Sequence, residues 1–347
     1  MTYEICVIGG DGIGPEVTDC AEQVLRAAAA SVSDGPRLRL RHASAGLDCY
    51  RRTGDPLPAQ TLDAARAADG VLLGALDVAG VPAGVPNPLR GLRRGLELVA
   101  SLRPSRSFPG VPRAVPGVDL LIVREITEGL YAGRERPLTE EPGAVAERVV
   151  TRRASLRTAE VAFRQARSRR GSVTAAHKIG ALRLTDSVFL DAVAEVAERY
   201  PGVEYHTRNV DACALDLVQH PEQFDVIVTT NAFGDILSDV AAGVTGGIGL
   251  AASGCVGERW SYFEPAHGTA PRRAGQARAN PVATVLSAAM LLRQLGQAET
   301  AEAVEQAVAA VLADGPRTSD LGGSAGSVEM TDAIVAALGV RAGTQGR

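Results

Sequence analysis

The sequence predicts an α/β protein built around a largely parallel sheet, and three observations point there. Short apolar runs bounded by turn residues alternate with alanine-rich helical stretches along the chain. The first of these units is a strand, a glycine loop and a helix opened by proline. The length, 347 residues, exceeds one ordinary small core and suits two domains or one large α/β unit.

The elements follow in order. Glu4–Ile8 reads as a buried strand, Gly9-Gly10-Asp11-Gly12-Ile13-Gly14-Pro15-Glu16 as the loop and helix start, and the helix runs to about Ala30. Val71-Leu72-Leu73-Gly74, Leu120-Leu121-Ile122-Val123 and Val226-Ile227-Val228-Thr229 are further strands, with helical stretches at Leu62–Ala68 and Val188–Arg199. From Tyr131 to Arg153 the pattern breaks, with Gly133, Pro137, Pro142 and Gly143 before Val145 and Val149, and the segment reads as a dimer arm or a surface hairpin. Gly243–Gly257 is rich in glycine and alanine and suits a hinge or a close backbone approach. A polar end, Arg341–Arg347, closes the chain.

Composition bounds the partners. The chain is 46% hydrophobic and 22% charged, enough to bury a sizeable interior. Its net charge of −4, without a basic block, argues against nucleic acid or an anionic membrane. The amino terminus lacks a signal-peptide pattern, and no run of about eighteen apolar residues suggests a membrane span. Five scattered cysteines without CxxC spacing fit reduced thiols in a cytoplasmic protein. Of 36 basic residues, one is lysine, Lys178, and the other 35 are arginine. Codon bias explains that, or a site needs an amine able to release its proton, which arginine cannot do.

Three constellations have chemical potential. In Asn231-Ala232-Phe233-Gly234-Asp235-Ile236-Leu237-Ser238-Asp239, the two aspartates stand four apart and share one helix face. Such carboxylates hold a hard divalent ion, with Asp211 as a third oxygen source, or they simply line a solvated acidic face. In Pro88–Leu98, Leu89, Leu92 and Leu96 recur at helical spacing, while Arg90, Arg93, Arg94 and Glu97 line another face. With Arg103 and Arg124 these arginines suit carboxylate capture, although an amphipathic surface helix is the simpler reading. In Phe263-Glu264-Pro265-Ala266-His267-Gly268-Thr269-Ala270-Pro271-Arg272-Arg273, the histidine precedes a glycine-containing turn, as a nucleotide-base contact or a structural loop residue. The amino-terminal glycines do not match the dinucleotide fingerprint.

In this order the segments resemble the β-decarboxylating dehydrogenases, the isopropylmalate, isocitrate, homoisocitrate and tartrate enzymes. The resemblance runs from Gly10–Glu16 to Gly315-Pro316-Arg317-Thr318-Ser319-Asp320-Leu321-Gly322-Gly323. It implies a two-domain fold with a large mixed, mostly parallel sheet and a dimer arm at 131–153. Residues 1–98 plus 246–347 would bind the cofactor, and 99–245 would bind substrate and form the dimer. By resemblance Arg93, Arg103 and Arg124 clamp the carboxylates of a malate-type substrate, and Asp211, Asp235 and Asp239 hold Mg²⁺ or Mn²⁺. Lys178 takes the hydroxyl proton and Tyr131 returns a proton after CO₂ leaves. His267, Gly268, Thr269, Ala270, Arg272 and Asn280 would bind NAD or NADP. Lys178 and Asp211 would enter a neighbour's cleft, so a homodimer with shared active sites is implied.

Departures from the family pattern bear on specificity. The isopropylmalate branch carries an apolar residue at the position of Arg90, whereas the homoisocitrate branch carries arginine. The expected substrate is therefore a 3-substituted malate with an anionic substituent, homoisocitrate or isocitrate being nearest and a phosphonate analogue a further candidate. 3-Isopropylmalate oxidation in leucine synthesis is the alternative. Arg272 stands where NAD-using members place an aspartate, which favours NADP or dual use. Gly180 replaces a common asparagine, Ser101 another, and Ala252 a proline. A metal-dependent hydrolase using the aspartates and Lys178, or a non-catalytic relative, are the readings from other classes.

Overall fold

A computed structural model describes residues 1–339, so the end Arg341–Arg347 lies outside the described residues. The amino-terminal part runs β1 (Thr2–Gly10), α1 (Gly14–Ser31), β2 (Arg37–Ala43), α2 (Leu47–Thr53), α3 (Ala59–Ala67), β3 (Gly70–Ala75) and α4 (Pro88–Gly95). Then come β4 (Ala100–Arg106), β5 (Asp119–Glu125), the short β6 (Glu135–Pro137) and β7 (Ala144–Ala146), α5 (Arg152–Arg167) and β8 (Ser172–His177). Next are α6 (Arg183–Glu198), β9 (Glu204–Asn209), α7 (Val210–Gln219), β10 (Val226–Thr229) and α8 (Asn231–Val244). The described residues end with β11 (Ala252–Val256), β12 (Ser261–Pro265), α9 (Val282–Gln294), α10 (Ala298–Asp314) and α11 (Ser327–Ala337).

Ten strands form one sheet in the order β2-β1-β3-β12-β11-β4-β5-β10-β8-β9. The two flanks are parallel, while β12–β11, β11–β4 and β4–β5 pair antiparallel at the centre. The largely parallel sheet expected from the alternation is present, and it is mixed, as the resemblance implies.

Strand alternation places apolar side chains on both faces. In β5, Leu121 and Val123 join the core that holds Phe163 and Phe189 of α5 and α6. Leu120 and Ile122 turn the other way, against Leu217 and Leu237 of α7 and α8. Likewise Ile5 and Val7 of β1 pack with α1 and α9, whereas Cys6 and Ile8 join Leu92 and Leu96 beside α4. Both sheet faces are thus covered by helices, as parallel strands require. The edge strands are polar instead: Arg37, Arg39 and Arg41 alternate along β2, and Glu4 pairs with Arg39 and Arg41 at 3.3 and 2.6 Å. Charge on an edge opposes strand-to-strand aggregation.

One of the two readings of the excursion is met, and one further expectation needs adjustment. The excursion contains a small antiparallel hairpin, β6–β7, separate from the main sheet and largely exposed. The stretch Gly243–Gly257, expected as a hinge or a close backbone approach, is also a strand in its second part, β11, buried throughout in the middle of the sheet. Ala252, Ser253 and Gly254 are small because Phe263 and helix α9 pack directly against this strand.

The glycine loop after β1 also has a structural purpose. At Gly12 (φ +61°) a Cβ would lie 2.1 Å from the Thr269 carbonyl oxygen, and the next amide, Ile13 N, donates to that carbonyl at 2.9 Å. Asp11, 3% exposed, accepts hydrogen bonds from Leu47 N (2.9 Å), Asp48 N (2.8 Å) and Asp77 N (2.7 Å), tying three loops together. Asp11→Ala strands those donors and is expected to lower the unfolding free energy by about 2–4 kcal/mol. A urea midpoint unchanged from wild type would contradict this.

Candidate functional site

Helix α8 carries Asp235 and Asp239 one turn apart, as the DxxxD spacing predicts. Gly234 lets the helix approach β5, since a Cβ there would meet Arg124 Cγ at 2.6 Å. Arg124 consequently lies across the helix. It donates through Nε and Nη2 to Asn231 Oδ1 at 3.1 and 2.7 Å, and through Nη1 to Asp235 Oδ1. Arg103, from β4, donates to Asp235 Oδ1 at 3.1 Å and to Ser238 Oγ at 2.7 Å. Tyr131 Oη donates to Asp235 Oδ2 at 2.6 Å, and Arg124 stacks over its ring at 5.2 Å.

This crowding shifts Arg124, Asp235, Tyr131 and Asp239. Burial and the charge of Arg103 pull the Arg124 guanidinium down to about 10. Burial raises the Asp235 carboxyl, but Arg124, Tyr131, Arg103 and Arg93 outweigh it and hold the group below the usual carboxylate value. Its hydrogen bond to Asp235 and its burial push the Tyr131 phenol up. Asp239 is raised, by burial and by the like charge of Asp235 against the pull of Arg103.

The arginines of α4 reach the same place. Asn87 caps the helix by accepting from Arg90 N at 2.9 Å, Pro88 opens it, and Leu92 and Leu96 are fully buried beneath it. The opposite face is not the simple surface expected from the pattern. Arg93 Nε donates to Tyr262 Oη at 2.9 Å with Glu264 at 3.8 Å, and Arg90 Nη2 donates to the Tyr131 carbonyl at 3.0 Å. Arg90, Arg93, Arg103, Arg124, Tyr131 and Asp235 therefore line one cleft of about 810 Å³. Arg94, Arg153 and Arg157 also line it, against Glu97, Glu128, Asp235 and Glu264. The excess of fixed positive charge suits a ligand with several carboxylates.

The other end of the cleft lies past the carboxyl ends of β3 and β12, where open α/β sheets place ligands. Ala75, Leu76, His267 and Gly268 line it. His267 Nδ1 lies 3.0 Å from the Gly268 carbonyl, its Nε2 is buried without a partner, and burial lowers the imidazole below its ordinary value. A neutral ring with an unsatisfied edge and open space beside Gly268 fits a flat heteroaromatic group such as a nucleotide base. Thr269, Ala270, Arg272 and Asn280 do not line the cleft. Arg272 is exposed, and Asn280 is engaged internally, donating to Asp320 Oδ2 and accepting from Val282 N, each at 3.0 Å.

Lys178 and Asp211 form an ion pair at 2.7 Å, with side chains 37% and 66% exposed, and neither lines the cleft. Hydrogen bonding from Lys178 lowers the Asp211 carboxyl. Among the described residues no three acidic, imidazole or thiol groups of one chain gather as a metal site. Asp235 and Asp239 nonetheless fit two carboxylates of a divalent-cation set, because they stand one turn apart on α8 and both burial and the like charge of Asp235 disfavour the ionised Asp239 without a cation. The structure adds residues that the sequence reading did not single out. Asn231, at the start of α8, orients Arg124, and Tyr262 and Glu264 of β12 contact Arg93 of α4, a meeting unreadable from spacing because Tyr262 lies 169 residues from Arg93. Ser101 bonds Ser253 inside the sheet at 3.0 Å, and beside Gly180 a Cβ would meet open space.

Comparison with known proteins gives the same answer from another direction. Residues 4–334 match the family model described as isocitrate/isopropylmalate dehydrogenase. An isocitrate/homoisocitrate dehydrogenase of Thermus thermophilus is 48% identical over 97% of this chain and 99% of its own. A 3-isopropylmalate dehydrogenase of Methanothermobacter thermautotrophicus is 44% identical over 96% and 98%. The solved structure of isocitrate dehydrogenase from Methylococcus capsulatus superposes with a TM-score of 0.90 at 40% identity, covering 97% and 99%. With its arginine-lined cleft at the strand ends of a ten-stranded sheet, the chain belongs to the isocitrate/isopropylmalate dehydrogenase family, NAD(P)- and divalent-metal-dependent enzymes that oxidatively decarboxylate hydroxy acids.

Proposed function

We propose that this enzyme acts on a 3-substituted malate whose substituent is anionic, homoisocitrate and isocitrate being the nearest candidates and a phosphonate analogue the next. The observation that supports this is Arg90. Arg93, Arg103 and Arg124 suffice for the malate carboxylates, and Arg90 adds a further guanidinium to the same cleft. An isopropyl group there would dehydrate that charge without returning an ion pair. The Thermus relative carries the isocitrate/homoisocitrate name. The second reading, 3-isopropylmalate, has in its favour the name of the 44% identical relative.

The chain's groups divide the chemistry. The arginines orient the carboxylates, and Asp235 and Asp239, with Asp211 of a second copy, would hold Mg²⁺ or Mn²⁺. A divalent metal held there would supply Lewis acidity toward the substrate's oxygens, and a nicotinamide in the cofactor part would supply the hydride acceptor. Lys178 of the second copy removes the hydroxyl proton. Tyr131, which keeps its proton beside Asp235, returns one to the carbon that loses CO₂. This division makes a homodimer with shared sites the working assembly. Residues 1–98 plus 246–347 then serve the cofactor, through His267, Gly268, Thr269, Ala270, Arg272 and Asn280, and 99–245 the substrate.

The test is kcat/KM for isocitrate, homoisocitrate, 3-isopropylmalate, malate and tartrate, with Mg²⁺ or Mn²⁺. A tricarboxylate at the top is expected; 3-isopropylmalate at the top would overturn the substrate assignment. Exposed Arg272 suits a 2′-phosphate, so NADP⁺ should equal or exceed NAD⁺ in kcat/KM. Arg272→Asp should lower the NADP⁺ value by about tenfold, one lost charged contact. An unchanged ratio would exclude Arg272 from cofactor choice.

A further inference from the structure

Close behind Lys178 lies a buried ion pair that the proposed chemistry does not use. Asp186, in the first turn of α6, has a side chain with 0% exposure. One carboxylate oxygen, Oδ2, accepts the backbone N–H of Lys178; the other, Oδ1, accepts from Arg148 Nη1 at 2.6 Å. Arg148, just past β7, is 12% exposed and spans three elements. Its Nη1 also donates to Thr185 Oγ1, and its Nη2 donates to Thr230 Oγ1 at 2.9 Å, the residue before α8. The guanidinium stacks over Phe233, two residues ahead of Asp235, at 5.2 Å. The Lys178 carbonyl is held too, by Leu182 N at 2.8 Å and Ala181 N at 3.0 Å. Both peptide groups of Lys178 are therefore fixed, and only its side chain extends outward to Asp211.

We propose that Arg148 and Asp186 are positioning residues for Lys178, setting the pivot from which its amine reaches the substrate; this rests on the reading of Lys178 as the base. A buried pair is a costly way to gain stability, since well-packed apolar residues commonly do as well. What it supplies here is direction. Asp186 fixes the Lys178 backbone, and Arg148 fixes Asp186 against the start of the helix that carries Asp235 and Asp239. The pair so ties the lysine to the aspartate helix through the segment that follows the hairpin. A displacement of about 1 Å in a reacting group costs on the order of a hundredfold in rate.

Because Lys178 is the only lysine, protein grown with ¹³Cε-lysine shows a single side-chain resonance for the whole chain. In Arg148→Met that resonance should shift or broaden, and kcat should fall about ten- to a hundredfold with the substrate KM within about twofold. Arg148→Lys, which keeps a charge for Asp186, should recover most of the loss. If Arg148→Met fails to fold, the double variant R148M/D186L removes both buried charges and should show the same kcat loss and moved resonance. An unmoved resonance, or a kcat within about twofold of wild type, in the folded variant overturns the proposal. Lys178→Ala separates the two claims: normal turnover there would discard the base assignment, while the lysine resonance in Arg148→Met still reports whether the pair holds the residue.

Discussion

Lys178→Ala is expected to lower kcat by about 10²–10⁴-fold, the contribution of a positioned general base, with the folded assembly intact. The expectation follows from geometry and from chemistry. Lys178 is partly exposed at the surface, where a truncated side chain leaves no cavity and strands no buried charge except its partner Asp211, itself largely exposed. The stability of the single chain should barely change, because exposed pairs contribute little. Lys178→Arg is the sharper variant. It keeps the ion pair and the positive charge, but a guanidinium cannot surrender its proton near neutral pH, so turnover should fall as in the alanine variant. Wild-type kcat in Lys178→Arg would show that the residue acts only as a fixed cation.

Arg90→Leu is expected to exchange one substrate class for another. The guanidinium lies on the cleft wall, anchored to the Tyr131 carbonyl at 3.0 Å. Removing it should lower kcat/KM for a substrate with an anionic C3 substituent by about a hundredfold, equivalent to one charge-assisted hydrogen-bonded pair. The value for 3-isopropylmalate should rise, because its branched group then meets an apolar surface rather than a desolvated charge. The selectivity ratio, measured with both substrates on one preparation, carries the inference. A ratio that does not move would place Arg90 outside the substrate pocket.

Legibility in the sequence followed the range of the interactions involved. The parallel flanks were readable because β3, β5 and β10 are short apolar runs between turn residues. Asp235 and Asp239 were readable as a pair because one helix carries both. The arginine cleft was legible only through the family resemblance, since Arg90 and Arg93 come from α4, Arg103 from β4 and Arg124 from β5, and nothing local says that these faces meet. Strand β11 escaped notice because its small residues have no β-type signature and answer instead to Phe263 and α9. Asp11 looked like part of a glycine motif, whereas its partners lie 36 to 66 residues away.

The most direct test of the central claim, a metal site shared between two chains, uses two separately impaired variants. Asp211→Asn and Asp239→Asn should each turn over poorly alone. In a dimer purified through two different tags, one of each, one cleft would combine an intact Asp239 with an intact Asp211 from across the interface, and the other would lack both. Such mixed dimers should recover about half of wild-type activity, as two-fold symmetry dictates. Mixed dimers as inactive as their parents would mean that the acids act within one chain, and the shared site would have to be abandoned.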